Sequence, residues 1–415
     1  MDSLSAPLDA EADARALLAR LGAAMIATGQ PVNEIEQELI EVGVRLGYAD
    51  LQVGAGPTGL TMSLRSGDPA VFESMTGSIR LDQTSEVRRI RAQLVSADLT
   101  PSEAFAQLGT LRAKPPRYPV WLTQIAWILV AVGIGLILQP GWPNVAAVAA
   151  SAVAVNTLMA VAKRVQVVAT LLPTLAAFIV TVIVFVAANA GWIEGPMRTV
   201  LPPIAALLPG ALIVTGMSEL AAGHMMAGAS RLAYGTVQLG LFALGLIAAT
   251  TILSVPTEMM MNVRVDTIGW WAAPLGLLLI GLGISGMEGV EWTMLGWVLL
   301  VLLMAFSAQS LGHAVGSPVL GGFLGAVAAS MGATLVELVR PQLARLVLFL
   351  PAFWLLVPGS LGLLGVTTLI ADQGAIIATG LDVAGVIVAI ALGLLVGSSL
   401  GLAVRNTVRP APLGS

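Results

Sequence analysis

The sequence predicts a polytopic α-helical membrane protein: ten transmembrane helices as two inverted five-helix repeats, preceded by a small α+β cytoplasmic domain. Three observations point there. Of the 415 residues 57% are hydrophobic and 11% charged, and mean hydropathy is +0.89; an ordinary soluble domain carries roughly 25% charged residues. The charges crowd into residues 1–119, whereas 120–404 is a series of apolar runs, each of about 17–25 residues and able to cross about 30 Å of hydrocarbon. Finally, the body repeats. Leu207-Leu-Pro-Gly-Ala-Leu-Ile-Val-Thr-Gly-Met-Ser-Glu-Leu220 and Leu356-Val-Pro-Gly-Ser-Leu-Gly-Leu-Leu-Gly-Val-Thr-Thr-Leu369 share six of fourteen residues at an offset of 149.

The cytoplasmic domain, 1–119, reads as mixed α and β. Leu17, Leu18, Leu21 and Met25 recur at helical spacing. Gly29 ends that helix, and Pro31 opens a second one through Ile35, Leu39 and Val42 to Gly47. Short strands are expected at 50–54, 59–65 and 71–80, then helices at 83–96 and 101–111. Lys114-Pro-Pro-Arg117 marks the boundary to the membrane body.

Ten spans are expected at 120–138, 143–162, 166–188, 200–218, 233–254, 268–287, 290–307, 318–338, 346–370 and 383–404. The first five form a repeat over 120–254 and the other five a repeat over 255–415, with a short C-terminal tail. With the head inside, ten Lys and Arg fall in inner segments, among them Lys163, Arg164 and Arg231, against Arg198 and Arg264 outside. That bias is the positive-inside rule, and it places both termini in the cytoplasm of a cell whose inner membrane holds the chain. The two matching segments are the fourth helix of each half. An odd number of helices per half inverts the second half relative to the first, an arrangement typical of secondary transporters.

Composition also excludes function classes. There is no cysteine, so no disulfide or thiolate chemistry, and only two histidines, His224 and His313, too few for a histidine-rich metal cluster. No basic stripe invites nucleic acid. Residues 1–119 hold no histidine, so no Ser-His or Cys-His pair can form there. An enzyme is not expected, nor a cofactor beyond a proton as coupling ion. Gly54-Ala-Gly56-Pro-Thr-Gly59 fits G-x-G-x-x-G, but strand-like Leu60-Thr-Met-Ser-Leu64 follows it where a dinucleotide fold needs a helix. It is expected to be a hairpin turn.

The sharpest chemical feature is the pair Pro209-Gly210 and Pro358-Gly359. Each proline removes an N–H and crowds a carbonyl one turn back (at Ala205 or Trp354), and the glycine lets the backbone open. Freed backbone at membrane depth must be satisfied by protein, water or ligand. A half-helix N-terminus binds a carboxylate and carbonyls bind an ammonium, so two opposed breaks can hold an amino acid without a buried charge. A plain packing kink is the competing reading. Thr215, Ser218 and Thr367 behind the breaks, with Asn156 of the second span, complete the candidate substrate-binding set. Glu219, His224 and Asp372 are the candidate proton-coupling or gating groups; Glu219 reads equally as a solvated helix end, and an external loop explains Asp372 and Asp382. Thr157, Gln309 and His313 either glue helices or line the path, and Gly321-Gly322-x-x-Gly325 reads as helix packing.

Several short motifs in order then carry a resemblance: Gly29-Gln-Pro31 with Ile35-Glu36, Gly56-Pro-Thr-Gly-Leu60, Pro115-Pro-Arg-Tyr-Pro119, Leu208-Pro-Gly210, Ser218-Glu219-Leu, and Gly223-His224. From residue 14 to 404 the chain resembles the threonine/serine exporters. The resemblance implies a cytoplasmic head and ten helices that expel threonine and serine by antiport with protons. Acidic residues are usual in the family where this chain has Glu219 and His224, so His224 is a departure, an imidazole in place of a carboxylate. Relatives split into two chains are linked to export of dicarboxylates such as succinate, which is the alternative substrate class; an uncoupled channel is another. Lys163 and Arg164 would serve a dicarboxylate only from the cytoplasmic edge. Expected partners are threonine or serine and membrane lipid; a homo-oligomer is left open.

Overall fold

The computed structural model describes residues 5–261, 263–340, 345–356 and 376–408. The chain is a multi-pass α-helical membrane protein. It divides into two compact units, one of 1–117 with Thr215–Arg231 and 340–347, the other of Tyr118–Val214, Leu232–Val339 and Leu348–Ser415.

In the first unit, helices α1 (Ser5–Ala27) and α2 (Val32–Arg45) precede strands β1 (Gln52–Ala55), β2 (Gly59–Ser63) and β3 (Val71–Ser74). The strands form one antiparallel sheet in the order β1-β2-β3, with Ala55 opposite Leu60 and Met62 opposite Val71. Period-two alternation sends Leu60 and Met62 of β2 to one face, where they join Leu17, Leu21 and Met25 of α1 and Ile35 and Leu39 of α2 in the core. The G-x-G-x-x-G segment is the β1–β2 hairpin: the Gly56 N–H donates to the Gly59 carbonyl at 2.8 Å, and no helix begins there. Helices α3 (Leu81–Val95) and α4 (Pro101–Thr110) close the core with Ile90, Leu94, Ala104 and Leu108. Thr100 and Glu103 cap α4 reciprocally, with Pro101 at the first helical position. Arg91 of α3 lies 3.3 Å from Glu38 of α2. Burial pushes the Glu38 carboxyl above its usual range, and Arg91 opposes that shift.

The helices of the body are α5 (Val120–Leu138), α6 (Trp142–Ala162), α7 (Gln166–Thr170), α8 (Leu172–Asn189), α9 (Pro196–Ile204), α10 (Gly210–Ala221), α11 (Met225–Ile252), α12 (Ala272–Glu288), α13 (Leu295–Ala314), α14 (Pro318–Val339), α15 (Arg345–Leu356) and α16 (Ile376–Val408). Among the described residues seven helices are long and apolar enough to cross a bilayer, and an eighth span appears if α9 and α10 count as one broken helix. The expected sixth span is α12, an apolar helix of 17 residues. Most of the expected span 346–370 lies outside the described residues. The fifth helix begins at Met225 rather than 233, which brings Arg231, expected in a loop, inside a helix.

Glycine sets the packing. In lipid no hydrophobic drive joins helices, so close backbone approach must supply the dispersion energy. A Cβ built on Gly133 of α5 would lie 2.7 Å from the Gly276 carbonyl oxygen and 2.8 Å from Ile280 of α12. In return, one on Gly276 would lie 2.7 Å from the Gly133 carbonyl oxygen and 2.9 Å from Ile137. Tyr118 stacks on Trp292 at one end of this pair and Trp142 on Trp271 at the other, with ring centroids 5.5 and 5.6 Å apart and the same 47° tilt. Further on, Gly245 of α11 seats on the Thr174 carbonyl and Ala177 of α8. Gly393 of α16 seats likewise on the Phe323 carbonyl and Ala326 of α14. Between α13 and α14, Gly321 backs onto the His313 ring and Gly325 onto Gln309, so the Gly321-Gly322-x-x-Gly325 run serves helix packing.

Because a carbonyl cannot move aside, Gly133→Ala should lower the thermal midpoint of the detergent-solubilised protein, by about 1–3 kcal/mol of overpacking. Gly240→Ala, where a Cβ meets nothing within 4 Å, should raise stability by about 0.5–1 kcal/mol through helix propensity. Equal effects at both positions would contradict the glycine packing.

Candidate functional site

The path of the chain through α9 and α10 is broken. Pro196 starts α9 after Gly195, which holds φ +58°. Pro202 and Pro203 then remove two N–H donors from the interior of α9, depriving the carbonyls of Arg198 and Thr199 of their helical partners. The helix tightens into a 3-10 turn at Ala205–Leu207. Leu208 is extended, at φ −65° and ψ 140°, as a residue before proline must be. α10 starts afresh at Gly210, and the two pieces are bent by 66°. Ile213 donates to the Pro209 carbonyl, so the three N–H groups before it lie in the first turn, where an α-helix supplies no partner. Pro209 and Gly210 are both buried. The break thus leaves the first N–H groups of one half-helix without intrahelical partners and ends another half-helix just before them in the chain; N–H donors and carbonyl acceptors are the pair of functions that a zwitterion requires.

At its other end α10 stops in a Schellman motif. Gly223 takes φ +90°, its N–H donates to Leu220 and the His224 N–H donates to Glu219. His224 then starts α11, since the Gly228 N–H donates to its carbonyl. The turn is tight because Gly228 lets α11 approach the Gly216 carbonyl of α10.

This hairpin presents Glu219 to the first unit's own α/β core. Glu219 is fully buried, and its carboxylate accepts from the Val32 N–H at 3.0 Å. Pro31 is the N-cap of α2 and has no side chain to offer, so a carboxylate 187 residues away takes the place of the cap. The second oxygen lies 3.1 Å from the Nε of Arg231, itself 7% exposed. The contact is an ion pair without the alignment of a hydrogen bond. Beside it, His224 Nδ1 stands 3.7 Å from Glu36, whose other oxygen accepts from the Ala55 N–H of β1 at 2.8 Å. A helix dipole, a guanidinium and a carboxylate–imidazole pair therefore meet within one unit.

Glu219 is not a solvated helix end. Of the other expected site residues, Ser218 is buried and donates to the Thr215 carbonyl at 2.8 Å, which ties its hydroxyl locally. Asn156 donates to the Gln124 carbonyl at 2.9 Å and fastens α6 to α5. Thr157 bonds back to Val153, and Lys163, Arg164 and His313 are exposed. Pro358, Gly359, Thr367 and Asp372 lie outside the described residues. Sequence reasoning missed Arg231, Glu36 and the Val32 N–H as partners. For Arg231 a signal existed: Gly228, Arg231 and Gly235 recur at i, i+3 and i+7, so the arginine falls on the buried stripe of α11.

Removing one member of a buried pair leaves an uncompensated charge, at a cost of about 3–5 kcal/mol, whereas replacing both with apolar groups is often neutral. Glu219→Leu should thus lower the thermal midpoint sharply, and adding Arg231→Met should recover most of the loss. Purely additive losses would contradict the pairing.

Comparison with known proteins places the chain in a family. The family described as "Putative threonine/serine exporter" matches residues 16–253, which runs from α1 to the end of α11 and includes the break and the Glu219 cluster. No curated protein and no solved structure matches the chain. The match spans more than half of the 415 residues, and on that ground the chain belongs to the threonine/serine exporter family.

Proposed function

We propose that the chain is a secondary active transporter that exports threonine and serine in exchange for protons, with the substrate held at the Pro209-Gly210 break and its counterpart at Pro358-Gly359. The observation that carries the reading is the broken α9–α10 helix, a donor end and an acceptor end brought together in buried backbone. A zwitterion matches both ends and needs no counter-charge. A dicarboxylate would want cations, but Lys163 and Arg164 are exposed and Arg231 is committed to Glu219.

The inverted repeat of ten helices belongs to this reading, and independent contacts favour it. Gly245 meets Thr174 and Ala177 as Gly393 meets Phe323 and Ala326. Those positions differ by 148 or 149 residues, the offset that relates Pro209-Gly210 to Pro358-Gly359. The reciprocal Gly133–Gly276 contact and the twin aromatic pairs at opposite ends of α5 and α12 are what a two-fold axis between equivalent helices produces. On this topology residues 1–119 and both termini are cytoplasmic, and the membrane is the inner one.

Coupling is assigned to the Glu219 cluster. A proton on Glu219 would cancel the charge that draws together the N-terminus of α2, Arg231 and the α10–α11 hairpin. We assign His224, beside Glu36, to relay or gate that proton, and Asp372 to the equivalent role in the second half.

The test is efflux from proteoliposomes loaded with labelled threonine or succinate, with and without a pH gradient. Threonine efflux that serine competes with and that the gradient drives is expected; succinate efflux alone would move the chain to the dicarboxylate branch. Gly210→Leu should abolish threonine efflux while membrane expression stays intact, and Glu219→Gln should remove the response to the gradient. Wild-type efflux in Gly210→Leu would sink the assignment of the site.

A further inference from the structure

Ser151 of α6 and Thr181 of α8 are fully buried, and neither hydroxyl meets a partner among the described residues. Other hydroxyls of the membrane body differ: Ser285 of α12 is also buried without a partner among the described residues, whereas several threonines bond locally. Thr157, Thr170, Thr250 and Thr334 each donate to the carbonyl four residues back. An unsatisfied buried hydroxyl costs about 1–3 kcal/mol, so two of them on neighbouring helices call for a ligand or a role.

Both hydroxyls come near the level of the segment that leads into the helix break. Asn144, in the first turn of α6, donates to Thr199 of α9 at 2.9 Å. Seven residues advance a helix by about 10.5 Å and return it to within about 20° of the same face, so Ser151 looks the way Asn144 does. Seven residues beyond Thr199 is Ala206, inside the 3-10 turn that runs into the break. The two helices run the same way: Gln139 and Asn144 bond the Glu194 carbonyl just before α9, which puts both starts at one end. Thr181 stands eight residues before the end of α8, and Ile204 stands eight after the start of α9. Each is therefore about 12 Å from that end. Val180, Val184, Ile204 and Leu208 share one core cluster.

From this geometry we infer that Ser151 and Thr181 form the side-chain subsite of the transport site, and that they take the hydroxyl of a small hydroxy amino acid. The inference rests on the proposed function and deepens it. The broken backbone takes the ammonium and carboxylate, which every amino acid has. The two hydroxyls, each able to donate and accept, take the group that separates serine and threonine from alanine and valine. A site built for a hydroxyl leaves its own polar groups unpaired when the analogue lacks one.

The experiment uses the full chain in proteoliposomes, as wild type, Ser151→Ala, Thr181→Val and Thr181→Ser. The readouts are KM and kcat for threonine, competition by serine against alanine, and the substrate-free thermal midpoint. The alanine and valine variants should raise the threonine KM about tenfold (about 1.4 kcal/mol) and flatten the preference for serine over alanine. Their thermal midpoint should hold or rise, since an unpaired buried hydroxyl has gone, and Thr181→Ser should keep the wild-type KM. An unchanged KM and preference, with wild-type threonine efflux intact, overturns the subsite alone. A lowered midpoint with unchanged KM marks a packing role and overturns it too. Wild-type efflux of succinate without threonine overturns the amino-acid reading, and the subsite with it.

Discussion

Hydrocarbon cannot hydrogen-bond a peptide group, and the membrane body is organised around that constraint. Helices meet it segment by segment, and glycines let them approach until backbone lies against backbone, as at Gly133 and Gly276. Where the constraint is broken, at Leu208-Pro209, several residues cooperate. Pro202 and Pro203 weaken α9, Pro209 forces Leu208 out of the helix, and Gly210 starts a new one. Three prolines and a glycine fall within nine residues here. The proposed function uses this opening for the cargo.

Glu219 performs a second task at the other end of α10. A carboxylate removed from water is stabilised only by groups that face it, and here those are the first N–H of α2 and the guanidinium of Arg231. The motifs that carry the family resemblance are far apart in the chain, yet Pro31, Glu36, Glu219 and His224 converge in one unit. A helix cap supplied in this way depends on the charge of the carboxylate, and the proposed coupling uses that dependence.

Much of the fold was legible. Strand alternation at Leu60, Met62 and Leu64 placed β2, turn chemistry made Gly54–Gly59 a hairpin, and apolar runs placed most of the spans within a few residues. Pro209-Gly210 disclosed the break because proline and glycine act on their own backbone, a local effect. Partners were harder. Arg231 looks like a loop cation when the fifth helix is started at 233, and nothing in the chain near Val32 announces an acceptor 187 residues away. The orphan hydroxyls of Ser151 and Thr181 were invisible for the same reason: a serine in an apolar run does not show whether its own helix satisfies it.

The central claim, that substrate occupies the broken helix, is tested most directly by backbone hydrogen exchange of the reconstituted protein with and without saturating threonine. Exchange reads opening of backbone hydrogen bonds residue by residue. Substrate seated at the break should protect the amides of residues 204–213, the first turn of α10 above all, and leave the glycine-packed α5 and α12 unchanged. Equal exchange across 204–213 in both states, with threonine transport intact, would contradict the account.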